Sequence, residues 1–401
     1  MPMLEACWQA RRVWSSLPAS RMYSLDEFGD MTADSLRFAA YSEAIQKAVR
    51  PGDIVVDLGC GPGIFALLAC RAGAKRVYAI EAGEVIHFAR QLAEANGFAD
   101  RIEFFHDDSR KMHLAERANV IVSDVRGALP IFGDALPTIE DARERFLSEG
   151  GVQIPRRDTI YAAILETPDY YKRLVSTWKD VVRGLELTAA LPMILNSVYK
   201  VRSQSHQLMT DAQLWCELDY TKHLNPRASA KLQLRTTRGG TAHGITAWFE
   251  AQLVEGIGFS TAPGTTGTIY GQGFFPWLEP VDLEIGQEIE VDLHADPVGG
   301  DYVWRWDTKI AAHKGHPERI FRQSTFLGAQ FTPEGLRRRT IDFVPKLSES
   351  GQAERWLIEA IDGSTTLQEI ANAALERFPK VFLGQDDAFR RVSALAERFS
   401  R

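Results

Sequence analysis

The pattern of apolar residues predicts a strand, a glycine loop, a helix and a second strand between residues 53 and 84. Residues 54–56 form an apolar run that ends at Asp57, residues 64–72 have a helical apolar pattern, and residues 77–80 restart a buried strand. The connecting loop contains three glycines, Gly59, Gly61 and Gly63. Glycine permits a tight turn and a close approach of the backbone to a ligand. The stretch therefore predicts a nucleotide-binding unit.

The acids that flank this loop narrow the predicted ligand. Glu81 stands 24 residues after Asp57, at the end of the second strand, where a carboxylate can bind both hydroxyls of a ribose. The loop reads G-x-G-x-G and follows Asp57. The carboxylate of Asp57 would repel a pyrophosphate and attract a cationic amino acid group. S-adenosylmethionine has both a ribose and such a group, and we predict it as the cofactor. The alternative is a structural turn with ordinary glycines.

The elements on either side of this unit offer further ligand contacts. A helix is predicted from Met31 to Val49, and its Arg37 can pair with a ligand carboxylate or be a solvated helix arginine. Downstream, Asp108 follows a predicted strand and can accept from an adenine amino group or be a solvated turn acid. Asp124 follows the next buried strand, and open α/β sheets bind ligands beyond the carboxyl ends of their strands. We therefore expect Asp124 to face the site.

The pattern changes after residue 150 and again near residue 340. Alternating apolar and polar residues predict a strand-rich region, interrupted by a helical segment that starts at residue 168. One side of that helical segment carries a row of apolar residues, Tyr170, Tyr171, Leu174, Trp178 and Val182. Such a row is either core or an association surface. Helices dominate the last 60 or so residues, and Ser364 or Thr365 is predicted to cap one of them.

Several separated motifs resemble those of the protein arginine methyltransferases, from Met31 to about Asp307. The segment "MTADSLRFAAY" is similar to the family's M-x-x-D-x-x-R-x-x-x-Y helix, and "VVDLGCGPGIFALLACRAGAKRVYAIE" looks like its cofactor loop. The resemblance implies an α/β fold: a class I methyltransferase doubly wound sheet of seven strands, followed by a β-barrel with a helical dimerisation arm. We predict a cofactor domain over residues 1–150, a barrel substrate domain over 151–335 with its arm at about 168–200, and a small helical domain over 340–401.

The resemblance also implies a site for S-adenosylmethionine, whose product is S-adenosylhomocysteine. Met31 would lie against the sulfonium side of the cofactor. The complete set of predicted cofactor-binding residues is Met31, Arg37, Asp57, Gly59, Gly61, Gly63, Glu81, Ala82, Asp108, Ser109 and Ser123.

The chain departs from the family's pattern at the predicted acceptor site. The first glutamate of the family's double-glutamate hairpin corresponds to Asp124, and the second falls on Gly133, beside Asp134. In the family's Thr-His-Trp loop, Ile269 replaces the histidine and Tyr270 the tryptophan. Two carboxylates can hold a guanidinium so that one nitrogen attacks the methyl group. We predict Asp124, Asp134 and Tyr270 as the catalytic residues.

Three functions are compatible with these departures. The first is N-methylation of an arginine or other guanidino group on a peptide or a small molecule. The second is methyl transfer to an imidazole, amine, hydroxyl or carboxylate of a peptide or natural product. The third is a binding protein that keeps the cofactor fold without turnover.

Composition limits the partners and the location. The 401 residues carry a net charge of −7, which gives no support for nonspecific nucleic-acid binding, and no apolar run is long enough to span a membrane. The four cysteines lack paired spacing, so we predict no metal site and reduced thiols in a cytoplasmic protein. The resemblance implies a homodimer. The C-terminal segment resembles, weakly, winged-helix domains that bind leader peptides, and the alternative is a packing appendage.

Overall fold

The computed structural model describes residues 23–179, 184–266, 268–313, 317–329, 332–338 and 340–400. The chain forms two compact units, which divide between Ala329 and Gln330. None of the helices in the described ranges has the length and apolarity that a membrane crossing requires.

A parallel sheet forms the first part of the larger unit. Its strands are β1 (Ile54–Leu58), β2 (Arg76–Ile80), β3 (Ile102–Phe105), β4 (Ala118–Ser123) and β5 (Leu147–Ile154). The accompanying helices are α1 (Leu25–Ala33), α2 (Ser35–Ala48), α3 (Ile64–Ala72), α4 (Ile86–Ala95) and α5 (Ala135–Phe146). The strand order is β3-β2-β1-β4-β5. Leu58 pairs with Ile80 on one side and with Ser123 on the other, so three strands end at one edge of the sheet.

This sheet has five strands over the described residues, two fewer than the sequence led us to expect. The chain leaves it after β5, because β6 (Arg157–Leu165) pairs in antiparallel fashion with strands of the second part of the unit. The doubly wound class itself is confirmed.

Two antiparallel sheets form the second part, which is barrel-like. The first has the order β7-β12-β10-β6-β8 with β11 beside β10, and the second has the order β15-β14-β13-β9. The strands are β7 (Tyr199–Val201), β8 (Gln213–Asp219), β9 (Ala228–Arg235), β10 (Gly240–Val254), β11 (Ile257–Ser260), β12 (Gln272–Leu283), β13 (Glu288–Val298), β14 (Asp301–Ile310) and β15 (Arg319–Phe321). Phe275 of β12 lies 5.5 Å from Trp306 of β14 between ring centroids, so one aromatic core joins the two sheets.

The helical insertion consists of α6 (Pro168–Lys179), a 3₁₀ turn and α7 (Leu191–Leu195), and α8 (Thr325–Gly328) lies near the end of the unit. The hydroxyl of Tyr170 donates to the carbonyl of Lys200, and that of Tyr171 donates to the carbonyl of Trp277, each over 3.0 Å. Part of the predicted apolar row therefore packs on the chain's own barrel. Val182 lies outside the described residues.

The smaller unit contains α9 (Pro333–Arg337), α10 (Glu349–Glu359), α11 (Leu367–Arg377) and α12 (Gln385–Phe399). The last three share a separate apolar core. Thr366 caps α11 through Glu369, whereas the backbone amides of Ser364 and Thr365 donate to Asp362, so the predicted cap lies one or two residues too early. Residues 332–338 and 340–400 contain no strand that could form a wing, and the winged-helix resemblance is not confirmed.

Candidate active site

Asp34 divides the helix predicted from Met31 to Val49 into α1 and α2. Its Oδ1 atom accepts from the backbone N–H of Arg37 over 3.0 Å and caps α2, because the first amides of a helix lack partners within it. Its Oδ2 atom accepts from the backbone N–H of Ile269 over 2.9 Å. One buried carboxylate therefore fixes the start of α2 and the barrel loop that precedes β12.

The glycine loop requires glycine at its closest contacts. Gly59, Gly61 and Gly63 have φ angles of +70°, +52° and +77°. A Cβ atom would lie 2.6 Å from a methyl group of Val125 at Gly59, and 2.9 Å from the ring of Phe28 at Gly61. A side chain is excluded by both space and conformation. The loop therefore leaves its backbone accessible to a ligand.

The two acids beside the loop are held by backbone amides. Asp57 Oδ2 accepts from the N–H of Ala66 over 2.9 Å, whereas Oδ1 is buried without a hydrogen-bond partner in the described structure. Burial, reinforced by the charge of Glu81, raises the pKa of Asp57 to about 7. The carboxylate of Glu81 accepts from the N–H groups of Gly61 and Gly83, over 2.9 and 2.8 Å. A cationic ligand group would satisfy the unpartnered oxygen of Asp57.

Asp124 lies at the end of β4, and its side chain, which is 5% exposed, lies between the cofactor part and the barrel. The hydroxyl of Tyr270 is 2.6 Å from each of its carboxylate oxygens, and Arg37 Nε donates to Oδ2. Arg126 Nη1 donates to Oδ1 over 3.0 Å. Burial alone raises the pKa of Asp124, but the two guanidinium groups outweigh it and hold the pKa below its ordinary value. Asp124 is therefore an ionised acceptor rather than a base.

Tyr270 and Arg37 also contact each other. Arg37 Nε is 3.2 Å from the hydroxyl of Tyr270, and Nη1 donates to the carbonyl of Met31 over 2.9 Å. Burial and the charge of Asp124 raise the pKa of Tyr270 well above its ordinary value, so its phenol stays a neutral donor. The structure thus brings together four predicted residues: Met31, Arg37, Asp124 and Tyr270.

Arg126 is a member of this cluster that the sequence reasoning missed. Its Nε and Nη2 atoms donate to the two oxygens of Asp158 over 2.8 and 2.9 Å, and Nη1 also donates to the hydroxyl of Tyr41 over 2.7 Å. Asp158 is in β6 and also accepts from the hydroxyl of Tyr220 over 2.6 Å. The available signals were an acid two residues before the apolar run of β6 and an arginine two residues after Asp124. Neither reveals the pairing.

Asp134, the second predicted carboxylate, does not join Asp124 in this structure. Its side chain is 47% exposed and accepts from Arg110 Nη1 over 3.1 Å. Gly133 turns the chain with φ +47°, and Asp134 is the residue that precedes the first turn of α5. Arg110 also binds both oxygens of Asp108 over 3.1 Å. The hydrogen bond with Arg110 is the main cause that lowers the pKa of Asp108.

The remaining predicted cofactor residues lie along the same edge of the sheet. Ser109 is buried and its carbonyl accepts from Arg145 over 2.7 Å. Ser123 is buried, its hydroxyl donates to the carbonyl of Ile154 over 3.4 Å, and its own carbonyl accepts from Tyr41 over 2.9 Å. Ala82 is exposed next to Glu81.

Comparison with known families divides the chain at the point where β5 gives way to β6. Residues 40–154 match the family described as "Ribosomal protein L11 methyltransferase (PrmA)", and residues 156–308 match "Arginine methyltransferase oligomerization subdomain". Protein arginine N-methyltransferase 1 of Saccharomyces cerevisiae is 29% identical over 287 residues, which cover 68% of this chain and 82% of that protein. The protein of the same name from Schizosaccharomyces pombe is 28% identical over 281 residues, with the same coverage of 68% and 82%.

Two solved structures of protein arginine methyltransferases share the fold of this chain. The Trypanosoma brucei PRMT1 enzyme-prozyme heterotetrameric complex with AdoHcy has a TM-score of 0.68 at 18% identity, covering 75% of this chain and 98% of that one. Arabidopsis thaliana protein arginine methyltransferase 10 has a TM-score of 0.66 at 20% identity, covering 75% and 97%. The chain is similar in sequence to the protein arginine methyltransferases over 68% of its length, and it shares their fold.

The candidate site of this arginine methyltransferase-like chain lies where its two matched segments meet. The methyltransferase segment contributes Asp57, Glu81 and Asp124, and the oligomerization segment contributes Asp158 and Tyr270. The buried ion pairs of Arg126 join the two segments.

Proposed function

We propose that the protein is an S-adenosylmethionine-dependent methyltransferase that methylates a nitrogen of an arginine or other guanidino group on a peptide or small molecule. The observation that carries the proposal is Asp124, an ionised carboxylate buried between α2 and the barrel loop, next to the glycine loop. The names of the relatives support arginine over the other acceptors and over a protein without turnover.

The residues around the glycine loop fit the proposed cofactor. S-adenosylmethionine supplies a methyl group on a sulfonium sulfur. Asp57 has a buried oxygen without a partner for the ammonium group, and Glu81 is held by two backbone amides at the level of a ribose. We assign Arg37 to the carboxylate and Met31 to the sulfonium side, with Asp108 and Ser109 at the adenine. The remaining predicted contacts, Gly59, Gly61, Gly63, Ala82 and Ser123, line the same edge.

The acceptor chemistry centres on Asp124 and Tyr270. When Arg37 turns to an anionic ligand, Oδ2 of Asp124 can accept an N–H of the acceptor guanidinium, while Arg126 keeps Oδ1 in place. A charge-assisted bond of this kind orients the guanidinium plane so that one nitrogen lies in line with the methyl group. In the transfer, that nitrogen would gain the methyl group as the carbon–sulfur bond breaks to leave S-adenosylhomocysteine, and the proton that the nitrogen loses would pass to solvent.

A pair of matched variants tests this assignment. Asp124→Asn removes the buried charge, and Asp134→Asn removes an exposed charge that pairs with Arg110. With labelled cofactor and arginine-containing peptides, we expect Asp124→Asn to lose about 100-fold or more in kcat/KM, and Asp134→Asn to stay near wild type. Equal losses in both variants would support a two-carboxylate fork, and no loss in either would remove Asp124 from the site.

Similarity to the oligomerization subdomain supports an oligomeric protein. We propose a homodimer formed through the arm at residues 168–200. The proposed location is the cytoplasm, supported by the free thiols of Cys60, Cys70 and Cys216. Light scattering of the purified chain at several concentrations tests the dimer.

A further inference from the structure

Three side chains from two separate segments of the chain meet beside the proposed cofactor site. Glu84 lies in the turn after β2, His87 in the first turn of α4, and His106 directly after β3. The parallel strands β2 and β3 are neighbours, so the segments that follow them lie at one edge of the sheet. Histidine, cysteine, aspartate and glutamate are the side chains that bind metal ions most often. Within the described residues, this is the one group of three or more of them whose ligand atoms all lie within 4.8 Å of one another.

The geometry of this cluster suits one metal ion. His87 Nε2 is 3.2 Å from Glu84 Oε2, and His106 Nε2 is 3.8 Å from Glu84 Oε1. Two ligand atoms bound to one zinc ion at about 2.0–2.2 Å with tetrahedral angles lie roughly 3.3–3.6 Å apart. The observed separations bracket that range. The imidazole rings stand at 83° to each other with centroids 5.4 Å apart, so they do not stack face to face.

We propose that Glu84, His87 and His106 bind a divalent transition metal ion of the zinc type. Two imidazoles and one carboxylate form a ligand set that zinc uses in proteins, and imidazole also suits copper and nickel. The three side chains are partly or largely exposed, with exposed fractions of 65%, 60% and 34%, so the ion has access from solvent and keeps room for water. The donors are nitrogen and oxygen, which disfavours ions that select thiolates.

The position of the ion links two loops of the sheet edge. Glu84 follows Glu81 by three residues, and His106 precedes Asp108 by two. A shared ion would hold these loops together, and this consequence rests on the proposed function because those acids are the assigned ribose and adenine contacts. Metal binding itself is measured without cofactor or acceptor, so its failure and the failure of methyl transfer are distinguishable.

The chain provides a matched control for ordinary histidine–glutamate pairing. His223 Nδ1 lies 2.6 Å from Glu140 Oε1, and the His223 side chain is 85% exposed. This pair has no third ligand in the described structure. A His223→Ala variant therefore removes an exposed histidine beside an acid without touching the proposed site.

The test is a zinc titration of untagged full-length protein, stripped with a chelator and dialysed, followed by calorimetry. We expect one zinc ion per chain. Since partners of metal ligands are worth about 10–100-fold in affinity, we expect His87→Ala and His106→Ala each to weaken binding by more than about tenfold. His223→Ala should match wild type. Circular dichroism confirms that each variant is folded.

A parallel titration with cobalt identifies the donor atoms. The proposal predicts visible bands without sulfur-to-cobalt charge transfer, and their loss in His87→Ala. Absence of saturable binding, zinc uptake that both histidine variants retain, or charge-transfer bands from cysteine would each overturn the proposal.

Discussion

At the scale of single residues, the candidate site is a row of alternating buried charges. Arg37, Asp124, Arg126 and Asp158 follow one another, with each carboxylate between or beside guanidinium groups. Buried charges of this kind must be paired, because removal of one partner leaves the other without compensation. The row balances two positive charges with two negative ones. The row as a whole therefore carries no net charge, and it keeps Asp124 ionised and fixed in place.

Replacement of Arg126 tests this balance. Arg126→Met leaves Asp158 with the hydroxyl of Tyr220 and no guanidinium, which we expect to lower the free energy of unfolding by about 3–5 kcal/mol. The double variant Arg126→Met with Asp158→Asn should recover part of that loss, since no unpaired buried charge remains. Urea unfolding measures both. As a control, Arg319→Met breaks an exposed pair with Glu279 and should leave the midpoint near wild type.

The phenol of Tyr270 gives a second prediction. Tyr270→Phe keeps the ring among its aromatic neighbours and removes the hydroxyl that donates to Asp124. A hydrogen bond to a charged group is worth about 1.5–3 kcal/mol, so we expect kcat/KM to fall by about 10–100-fold. Binding of S-adenosylhomocysteine should change little. An unchanged kcat/KM would mean that this hydroxyl does not position Asp124 for the reaction.

The pKa of Asp57 predicts how ligand affinity depends on pH. The unliganded protein retains this proton up to about pH 7, and the ammonium group of a bound ligand favours the ionised form. Binding therefore releases a proton, and the affinity for S-adenosylhomocysteine should rise with pH until about pH 7 and then level off. Calorimetry between pH 5.5 and 8 tests this prediction. Asp57→Asn should bind weakly with a flat profile; the same slope in that variant would assign the titration to another group.

At the scale of secondary structure, Asp34 connects two elements from different parts of the fold. Asp34→Ala removes the cap of α2 and the acceptor for the Ile269 amide, and we expect a loss of about 1–3 kcal/mol in unfolding free energy. Ser24→Ala removes an exposed cap of α1 and is the matched control. We expect Asp34→Ala alone to raise KM for the acceptor as well, because the loop before Tyr270 loses its anchor. A similar KM in both variants would argue against that coupling.

The positions of the glycine loop and its acids in the fold could be predicted from sequence because these residues belong to one local unit, whereas their roles toward the cofactor stay predictions. Asp57, the glycines and Glu81 belong to one strand–loop–helix–strand unit, whose spacing fixes their positions. The single helix predicted from Met31 to Val49 was wrong because Asp34 divides it into α1 and α2. The role of Asp34 as a cap depends on a turn, which the periodicity of apolar residues does not show. The partner of Arg126 lies 32 residues away in another sheet, and no local pattern records such a pairing. The position of the Asp134 side chain could not be predicted either, because it depends on the turn at Gly133 and on the hydrogen bond with Arg110.

At the scale of the whole molecule, the change in the pattern of apolar and polar residues near residue 150 predicted that the parallel sheet ends there and that the barrel begins. The number of strands could not be predicted, because the alternating pattern of β6 does not show which sheet it joins. The C-terminal helices were predicted from their periodicity, and they form a unit with its own core. The role of that unit stays a prediction: recruitment of a peptide, or packing alone.

Removal of the smaller unit separates these two roles. A chain that ends at Ala329 should bind S-adenosylhomocysteine as the full chain does, since the proposed cofactor residues and their supporting contacts lie in the larger unit. If the smaller unit recruits peptides, KM for a peptide acceptor should rise while KM for free arginine stays constant. If removal of the smaller unit changes neither KM for the peptide nor KM for free arginine, packing would be left as the role of that unit.

The location of the transferred methyl group tests the central claim most directly. The purified full-length protein is incubated with S-adenosylmethionine and arginine-containing peptides, together with the same peptides in which lysine replaces arginine, and the products are sequenced by tandem mass spectrometry. We predict a methyl group on a guanidino nitrogen of arginine, absent from the lysine peptides and from reactions of Asp124→Asn. A methyl group found only on another type of residue, or cofactor binding without methyl transfer to any acceptor, would contradict the account.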